Sequence, residues 1–169
     1  NGSLLNLSKF VGPEEVWTEN YWPNGQRMSH FDKILDPTTG GSYFHGPYKS
    51  YYESGGIKSE GQFKNNTATG IWNYYFENGR LRMSGEITNG KAVGPWDYYF
   101  ETGTRKMSGQ MLAGKKHGNW VYYYKNGSIE SEGNYLEGDK IGIWKYYHPL
   151  GVLKATEEFT GLGSYYEEL

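Results

Sequence analysis

The side chains best suited to catalysis or metal binding are scattered through this sequence. No two of its histidines have the His-x-His or His-x-x-x-His spacing of a metal site; they are His30, His45, His117 and His148. No pair of glutamates is marked out for acid–base chemistry; those considered are Glu60, Glu86, Glu101 and Glu132. The sequence has neither a Gly-x-Ser-x-Gly elbow nor a phosphate-binding loop. It therefore predicts a protein with no enzymatic activity, no metal and no cofactor.

Aromatic residues are the stronger candidates for function, and they recur at a fixed spacing. The signature Gly-x-(Trp/Tyr)-x-x-Tyr begins every 24 residues, at Gly46, Gly70, Gly94, Gly118 and Gly142. A repeat array of this kind binds along a surface more often than it catalyses a reaction. The leading prediction is a protein–protein interaction module.

Alternation of residue types predicts that each repeat is an antiparallel hairpin with two different faces. One face carries a column of tyrosines next to basic side chains, and these are the candidate partner-binding residues: Tyr51, Tyr75, Tyr99, Tyr123, Tyr147, Arg82 and Lys106. The expected cross-strand partners of the five tyrosines are Lys58, Arg82, Lys106, Glu130 and Lys154. Several of these pairs would place a cation near a ring.

The opposite face carries a column of tryptophans, which we interpret as structural core. The column consists of Trp72, Trp96, Trp120 and Trp144. Four strand glycines belong to it, namely Gly61, Gly85, Gly109 and Gly133, and each is expected opposite the Trp or Tyr of its own repeat. A large ring over a strand glycine covers exposed backbone. Stacking of the rings on sugars or bases is the alternative.

Turn chemistry separates the strands. Asn78-Gly79 predicts a two-residue hairpin loop in which both residues have positive φ. The second turn, which joins one repeat to the next, reads NNTATG, NGKAVG, AGKKHG and EGDKIG, and we expect it to be longer and more variable. The predicted fold is all-β, an elongated array of antiparallel hairpins that forms one long twisted sheet.

The predicted organisation has four parts. Residues 1–15 are a leader, 16–45 a degenerate repeat, 46–160 five tandem repeats, and 161–169 a tail that caps the last hairpin or forms a helical turn. The degenerate repeat is six residues longer than the others, and the insertion is placed in Asp32–His45.

Composition restricts the partner and the compartment. The net charge is −2, so neither nucleic acid nor an anionic membrane is the default partner. The chain has no cysteine, which favours the cytoplasm without excluding export. It begins with Asn1 rather than Met, which indicates a processed or recombinant fragment. The sheet's open ends could pair with a second copy, so the sequence leaves the oligomeric state open.

The repeats resemble the MORN repeat in its bacterial variant form. The run from Gly85 through Asn89-Gly90-Lys91 to Gly94 and Trp96 follows the family pattern, and Gly109 to Trp120 follows it again. The Trp-x-Tyr-Tyr and Glu-Asn-Gly elements are similar to those of the YwqK-type antitoxin family. This resemblance implies an antitoxin or immunity protein that masks a partner toxin. Alternatives are a membrane-associated scaffold that contacts phospholipid and a carbohydrate-binding surface.

Overall fold

The computed structural model describes residues 5–11, 14–36, 38–160 and 163–168, and every regular element in them is a β-strand. Strand order in the sheet follows the chain. The predicted all-β array of antiparallel hairpins is confirmed. The strands are β1 (Leu5–Val11), β2 (Glu14–Tyr21), β3 (Arg27–Leu35), β4 (Ser42–Tyr51), β5 (Ile57–Lys64), β6 (Thr67–Tyr75), β7 (Leu81–Thr88), β8 (Lys91–Tyr99), β9 (Arg105–Leu112), β10 (Lys115–Tyr123), β11 (Ile129–Leu136), β12 (Asp139–Tyr147), β13 (Leu153–Thr160) and β14 (Gly163–Glu168).

The chain forms two compact units. The first comprises Asn1–Leu81 and Ile87–Gly90, and the second comprises Arg82–Glu86 and Lys91–Leu169. Strand β7 contributes residues to both units. In the first unit, β1 to β6 pair antiparallel in succession. In the second unit, β8 to β14 do the same.

Both ends of the chain contribute strands. Part of the predicted leader, Leu5–Val11, pairs with β2 as strand β1. Part of the predicted tail, Gly163–Glu168, pairs with β13 as strand β14, so this segment is a strand and not a helical turn. The remaining parts of the predicted leader and tail lie outside the described residues; these are residues 1–4, 12–13, 161–162 and 169.

The degenerate repeat contains its extra residues in β3, in β4 and in the turn between them. β3 has 9 residues where β5 has 8, and β4 has 10 where β6 has 9. Asp36 N donates to Gly41 O at 2.7 Å, which closes a turn longer than those that join the later repeats. The Asp36 side chain accepts from Thr38 N at 2.8 Å and from the Thr39 hydroxyl at 2.7 Å. These hydrogen bonds lower the pKa of Asp36.

The turn within each repeat, which we term the hairpin turn, differs from the predicted two-residue loop. In the fourth repeat, Tyr124 N donates to Ser128 O and Gly127 N donates to Tyr124 O, both at 2.9 Å. Gly127 has a φ of 88°, whereas Asn126 is not among the residues with positive φ. The Asn126 side chain instead accepts from Ser128 N at 3.0 Å. This is a type I turn followed by a left-handed glycine, a geometry that adds a bulge residue to the strand.

The bulge shifts the pairing of the tyrosines. Before it, Tyr98 pairs with Met107, but Tyr99 then pairs with Arg105 and not with Lys106. Tyr51, Tyr123 and Tyr147 pair with Ile57, Ile129 and Leu153. The predicted partners Lys58, Lys106, Glu130 and Lys154 were therefore wrong. Lys58 and Lys106 lie over the next ring along the chain, Tyr52 and Phe100, at 5.8 and 5.9 Å from the ring centroids.

The turn between repeats, which we term the linking turn, is the tight one, contrary to expectation. Only two residues separate the paired strand ends: Leu112 pairs with Lys115 across Ala113-Gly114. Ala113 and Gly114 both have positive φ, at 51° and 86°. These values are typical of a type I′ turn. Gly114 N also donates to Ala92 O in the preceding linking segment, at 2.9 Å.

The core of each regular repeat is a tryptophan packed on the glycine of the repeat before it. The backbone register pairs Gly109 with Trp96 of its own hairpin and with Trp120 of the next. The later ring packs closest on the glycine, because a Cβ atom at Gly109 would lie 2.3 Å from Cδ2 of Trp120. The predicted pairing with the ring residue of the same repeat is confirmed for Gly61, Gly109 and Gly133, but the indole that packs closest on each glycine comes from the next repeat. The same contact joins Gly61 to Trp72, Gly85 to Trp96 and Gly133 to Trp144.

Two lysines complete this core in the second unit. Lys116 Nζ lies 4.5 Å from the Trp120 ring centroid and 5.0 Å from those of Tyr122 and Tyr135. Lys140 occupies the same place in the next repeat, 4.1 Å from the Trp144 centroid. Burial lowers the pKa of both ammonium groups. The stems pack on the rings while the charge stays near their π faces.

Candidate partner-binding face

The tyrosine face is the side of the sheet that carries Tyr51 and Tyr75 in the first unit and Tyr99, Tyr123 and Tyr147 in the second. Each of these residues ends a strand, immediately before a hairpin turn. At Tyr51, Tyr99, Tyr123 and Tyr147 the strand register shifts at the tyrosine itself. All five side chains are partly exposed, so their edges remain accessible to a partner.

Two of the tyrosines donate to a glutamate of the preceding repeat. Tyr75 Oη donates to Glu60 Oε1 at 2.6 Å, and Tyr147 Oη donates to Glu132 Oε1 at 2.7 Å. Burial together with the Glu60 carboxylate raises the pKa of Tyr75 to about 12. The hydrogen bond from Tyr75 lowers the pKa of Glu60 despite the opposing effect of burial. Glu60 and Glu132 were considered from the sequence only for acid–base chemistry, and their pairing with the tyrosines was missed, although each lies 15 residues before its tyrosine.

Arg105 is a cation close to the tyrosines of the second unit. Its Nε atom lies 3.3 Å from Asp97 Oδ1. The Asp97 charge, followed by hydrogen bonds to Tyr123 and Tyr99, raises the pKa of Arg105. One guanidinium group thus connects two candidate tyrosines. Arg105 was not among the predicted site residues, because the predicted register put Lys106 opposite Tyr99.

Tyr51 adjoins a polar cluster in the degenerate repeat that sequence reasoning also missed. Arg27 lies 5.8 Å from the Tyr51 centroid and 2.9 Å from Glu19 Oε1. Glu19 is buried and also bonds the Tyr21 hydroxyl and His30 Nδ1. Burial alone would raise the pKa of Glu19, but the hydrogen bond from Tyr21 and the Arg27 charge outweigh it and lower that pKa. Because both carboxylate oxygens are occupied, the cluster is a closed structural network.

The two predicted basic candidates are exposed. Arg82 is exposed on β7, and Lys106 is exposed on β9 with its ammonium over Phe100. Both therefore remain predictions for partner contact.

The tryptophan face offers a partner little indole surface. Trp120 and Trp144 are 0% exposed, and Trp72 and Trp96 are 5% and 4% exposed. Rings buried to this degree hold the sheet together and do not stack on a ligand. Of the two candidate columns, the tyrosines are therefore the one with aromatic surface accessible to a partner.

Two kinds of site are absent from the part of the chain that the structure describes. No group of three or more histidine and carboxylate side chains is arranged to hold a metal ion. No helix there has the length and apolar character needed to cross a bilayer.

The hairpin is also the unit recognised by comparison with known families. Residues 44–65, 116–137 and 140–160 match the family model described as MORN repeat variant. These three segments, which together cover less than half of the chain, are similar to that repeat. The matched segments begin on the Trp- or Tyr-bearing strand and cross the hairpin turn into the second strand. Among curated proteins, none matches the chain. The MORN resemblance is thus confirmed for three repeats, and the match carries no antitoxin assignment.

Proposed function

We propose that this MORN-variant array is a non-enzymatic protein-binding module that holds its partner on the tyrosine face. The observation that carries the proposal is the contrast between the two faces. Tryptophans are buried on one face, whereas the five tyrosines on the other are partly exposed, and two of them, Tyr75 and Tyr147, are held by hydrogen bonds to glutamates. Tyrosine is a frequent interface anchor because its large ring loses little conformational entropy on binding. Rings already fixed by Glu60, Arg105 and Glu132 lose even less.

Affinity capture from the native host with matched variants tests this proposal. Replacing both Tyr99 and Tyr123 by alanine should abolish capture of a specific partner. These two are preferred to Tyr75 and Tyr147, whose hydroxyls bond glutamates of the fold. The control is Leu150→Ser, since Leu150 is 92% exposed in a hairpin turn. Circular dichroism should show the same folded spectrum for all three proteins.

Two outcomes would contradict the proposal. Undiminished capture by the double variant would mean that the tyrosine face is not the site. Failure to capture any protein, combined with co-sedimentation with vesicles of phosphatidylserine and phosphatidylcholine, would replace it with the membrane-scaffold alternative. The net charge of −2 gives such vesicles no general electrostatic attraction.

The narrower form of the function, an antitoxin that masks a toxin, is supported by the resemblance of the Trp-x-Tyr-Tyr and Glu-Asn-Gly elements alone. If the chain is an antitoxin, its co-expression should restore growth to cells that produce the captured partner. The Tyr99 and Tyr123 double variant should not restore it. If the partner arrests growth and the wild-type chain does not relieve the arrest, the antitoxin hypothesis is wrong. The protein-binding proposal would not be affected.

A further inference from the structure

A carboxylate is missing from the tyrosine face before Tyr99 and before Tyr123, where Ser84 and Ser108 occupy the position that is a glutamate in two other repeats. The position 15 residues before each tyrosine is Glu60 before Tyr75 and Glu132 before Tyr147, and both accept the tyrosine hydroxyl. The same position before Tyr123 is Ser108, which is too short to reach that hydroxyl. The chain itself thus shows which group such a tyrosine binds.

An open cleft marks the missing side chain. Its volume is about 340 Å³, and its lining includes Asp97, Arg105, Ser108, Gln110, Asn119 and Val121. Ser108 pairs with Asp97 on one side and with Val121 on the other, so it lies at the centre of this lining. The cleft is polar, and Val121 of its lining lies two residues before Tyr123 on β10, on the same face of the strand.

Arg105 supplies a positive charge to the same place. Asp97 engages its Nε edge at 3.3 Å, and the Tyr123 and Tyr99 hydroxyls also help to raise its pKa. A guanidinium only donates hydrogen bonds, so it does not compete for the Tyr123 proton. Tyr123 and Arg105 can therefore both donate to one incoming oxyanion.

We propose that the Ser108 cleft binds an aspartate or glutamate side chain of a partner protein, which accepts hydrogen bonds from Tyr123 and Arg105. This inference rests on the proposed protein-binding function and specifies the chemistry of the partner. Beside Tyr123, the incoming carboxylate occupies the position that corresponds to the Glu132 carboxylate beside Tyr147. A partner lysine would instead meet the Arg105 charge. The negative charge of Asp97 repels the incoming carboxylate and lowers the affinity of the cleft for it. Binding is therefore restricted to partners that supply further contacts.

The test is an NMR titration of protein labelled with ¹³C at tyrosine Cζ. Sodium acetate is the probe, and sodium chloride is exchanged against it at constant ionic strength. The Tyr123 resonance should shift saturably, whereas those of Tyr75 and Tyr147 should not, because their carboxylate places are filled. Asp97→Asn should lower the apparent acetate Kd, since it removes the competing negative charge.

Ser108→Glu provides the decisive variant, and Ser54→Glu, which adds the same charge in an exposed hairpin turn, provides its control. The glutamate at position 108 should fill the cleft and abolish the acetate response, while the control keeps it. A Tyr123 resonance that does not respond to acetate would overturn the inference. So would an equal response in Ser108→Glu.

The same variants separate this inference from the proposed function. A partner captured through Tyr99 and Tyr123 should bind Ser108→Glu at least tenfold more weakly, and the control should bind it normally. If capture depends on the tyrosines but not on Ser108→Glu, the module stands and the cleft assignment fails. If acetate binds at Tyr123 but no protein is captured, the carboxylate site stands and the proposed function fails.

Discussion

The indole of Trp120 rests directly on the backbone of Gly109, in the space that any side chain there would need. A Cβ atom at Gly109 would lie within 2.5 Å of three ring atoms of Trp120. Gly109→Ala must therefore displace a tryptophan that is 0% exposed. Overpacking of this kind costs about 1–3 kcal/mol. Urea denaturation followed by tryptophan fluorescence should show a loss in that range.

Gly56→Ala is the matched control for this substitution, because the nearest atom to a Cβ there, Glu77 O, is 3.7 Å away. Its free energy of unfolding should stay close to that of the wild type. Equal stability of the two variants would mean that the Trp120 ring moves aside without cost.

The linking turn at Ala113-Gly114 can be improved by one substitution. Ala113 has a φ of 51°, a left-handed conformation that costs an alanine roughly 1 kcal/mol. Asparagine tolerates it better and occupies the same place at Asn89, where φ is also 51°. Ala113→Asn should raise the free energy of unfolding by about 0.5–1 kcal/mol. The reverse change, Asn89→Ala, should lower it, and failure of both effects would contradict the turn assignment.

A hydroxyl at the start of the hairpin turn bonds one repeat to the next. Tyr124 Oη donates to Tyr147 O at 2.7 Å, and Tyr52 Oη donates to Tyr75 O at 2.6 Å. Phe100 is the equivalent residue of the third repeat and has no hydroxyl. Phe100→Tyr should add a hydrogen bond to Tyr123 O and stabilise the protein by about 0.5–1.5 kcal/mol.

Tyr124→Phe serves as the converse measurement for this bond and should lose a similar amount in thermal or urea denaturation. A Phe100→Tyr variant less stable than the wild type would show that the phenol does not reach the carbonyl.

The Tyr75–Glu60 hydrogen bond makes stability depend on pH at both extremes. The pKa of Glu60 is lowered when folded, so its stabilising effect is present above the usual value of 4.5 and is lost as pH falls through the folded value. The pKa of Tyr75 is raised from 10.0 to about 12, so stability falls between these pH values as only the unfolded chain loses the proton. Tyr75→Phe should cost about 1–2 kcal/mol at pH 7.

The difference between wild type and Tyr75→Phe should shrink toward pH 3, as Glu60 is protonated. Urea denaturation across pH 3–8 measures this change, and Tyr99→Phe is the control because Tyr99 bonds no glutamate. A difference that does not vary with pH would mean that the hydroxyl does not bond an ionised carboxylate.

The 24-residue period predicted the hairpins, the two faces and the buried tryptophans, but not the turns. The dipeptide Asn-Gly occurs in both kinds. Asn89-Gly90 forms a linking turn with positive φ at both residues, whereas in Asn126-Gly127 only the glycine has it. The dipeptide is compatible with either geometry, and the pairing of the flanking strands selects one. A bulge that follows from this choice displaced the pairings of Tyr51, Tyr99, Tyr123 and Tyr147 by one residue.

Site prediction had a similar limit. The tyrosines were found because they recur, whereas Arg105, Ser108 and the Glu19 cluster do not recur in every repeat. Their roles depend on which strand lies beside them, and the repeat pattern alone does not reveal that. The cover of Gly109 by the next tryptophan is likewise a contact between successive hairpins.

The packing of each tryptophan on an earlier glycine gives the array a direction. Trp144 depends on Gly133, and Trp120 depends on Gly109, but neither glycine depends on its ring for its own backbone pairing. Deleting a hairpin from the C-terminal side uncovers a strip of glycine backbone. Deleting a hairpin from the N-terminal side removes the glycine on which the next tryptophan packs. Arrays of this design should therefore gain or lose repeats more easily at the C-terminal end than at the N-terminal end.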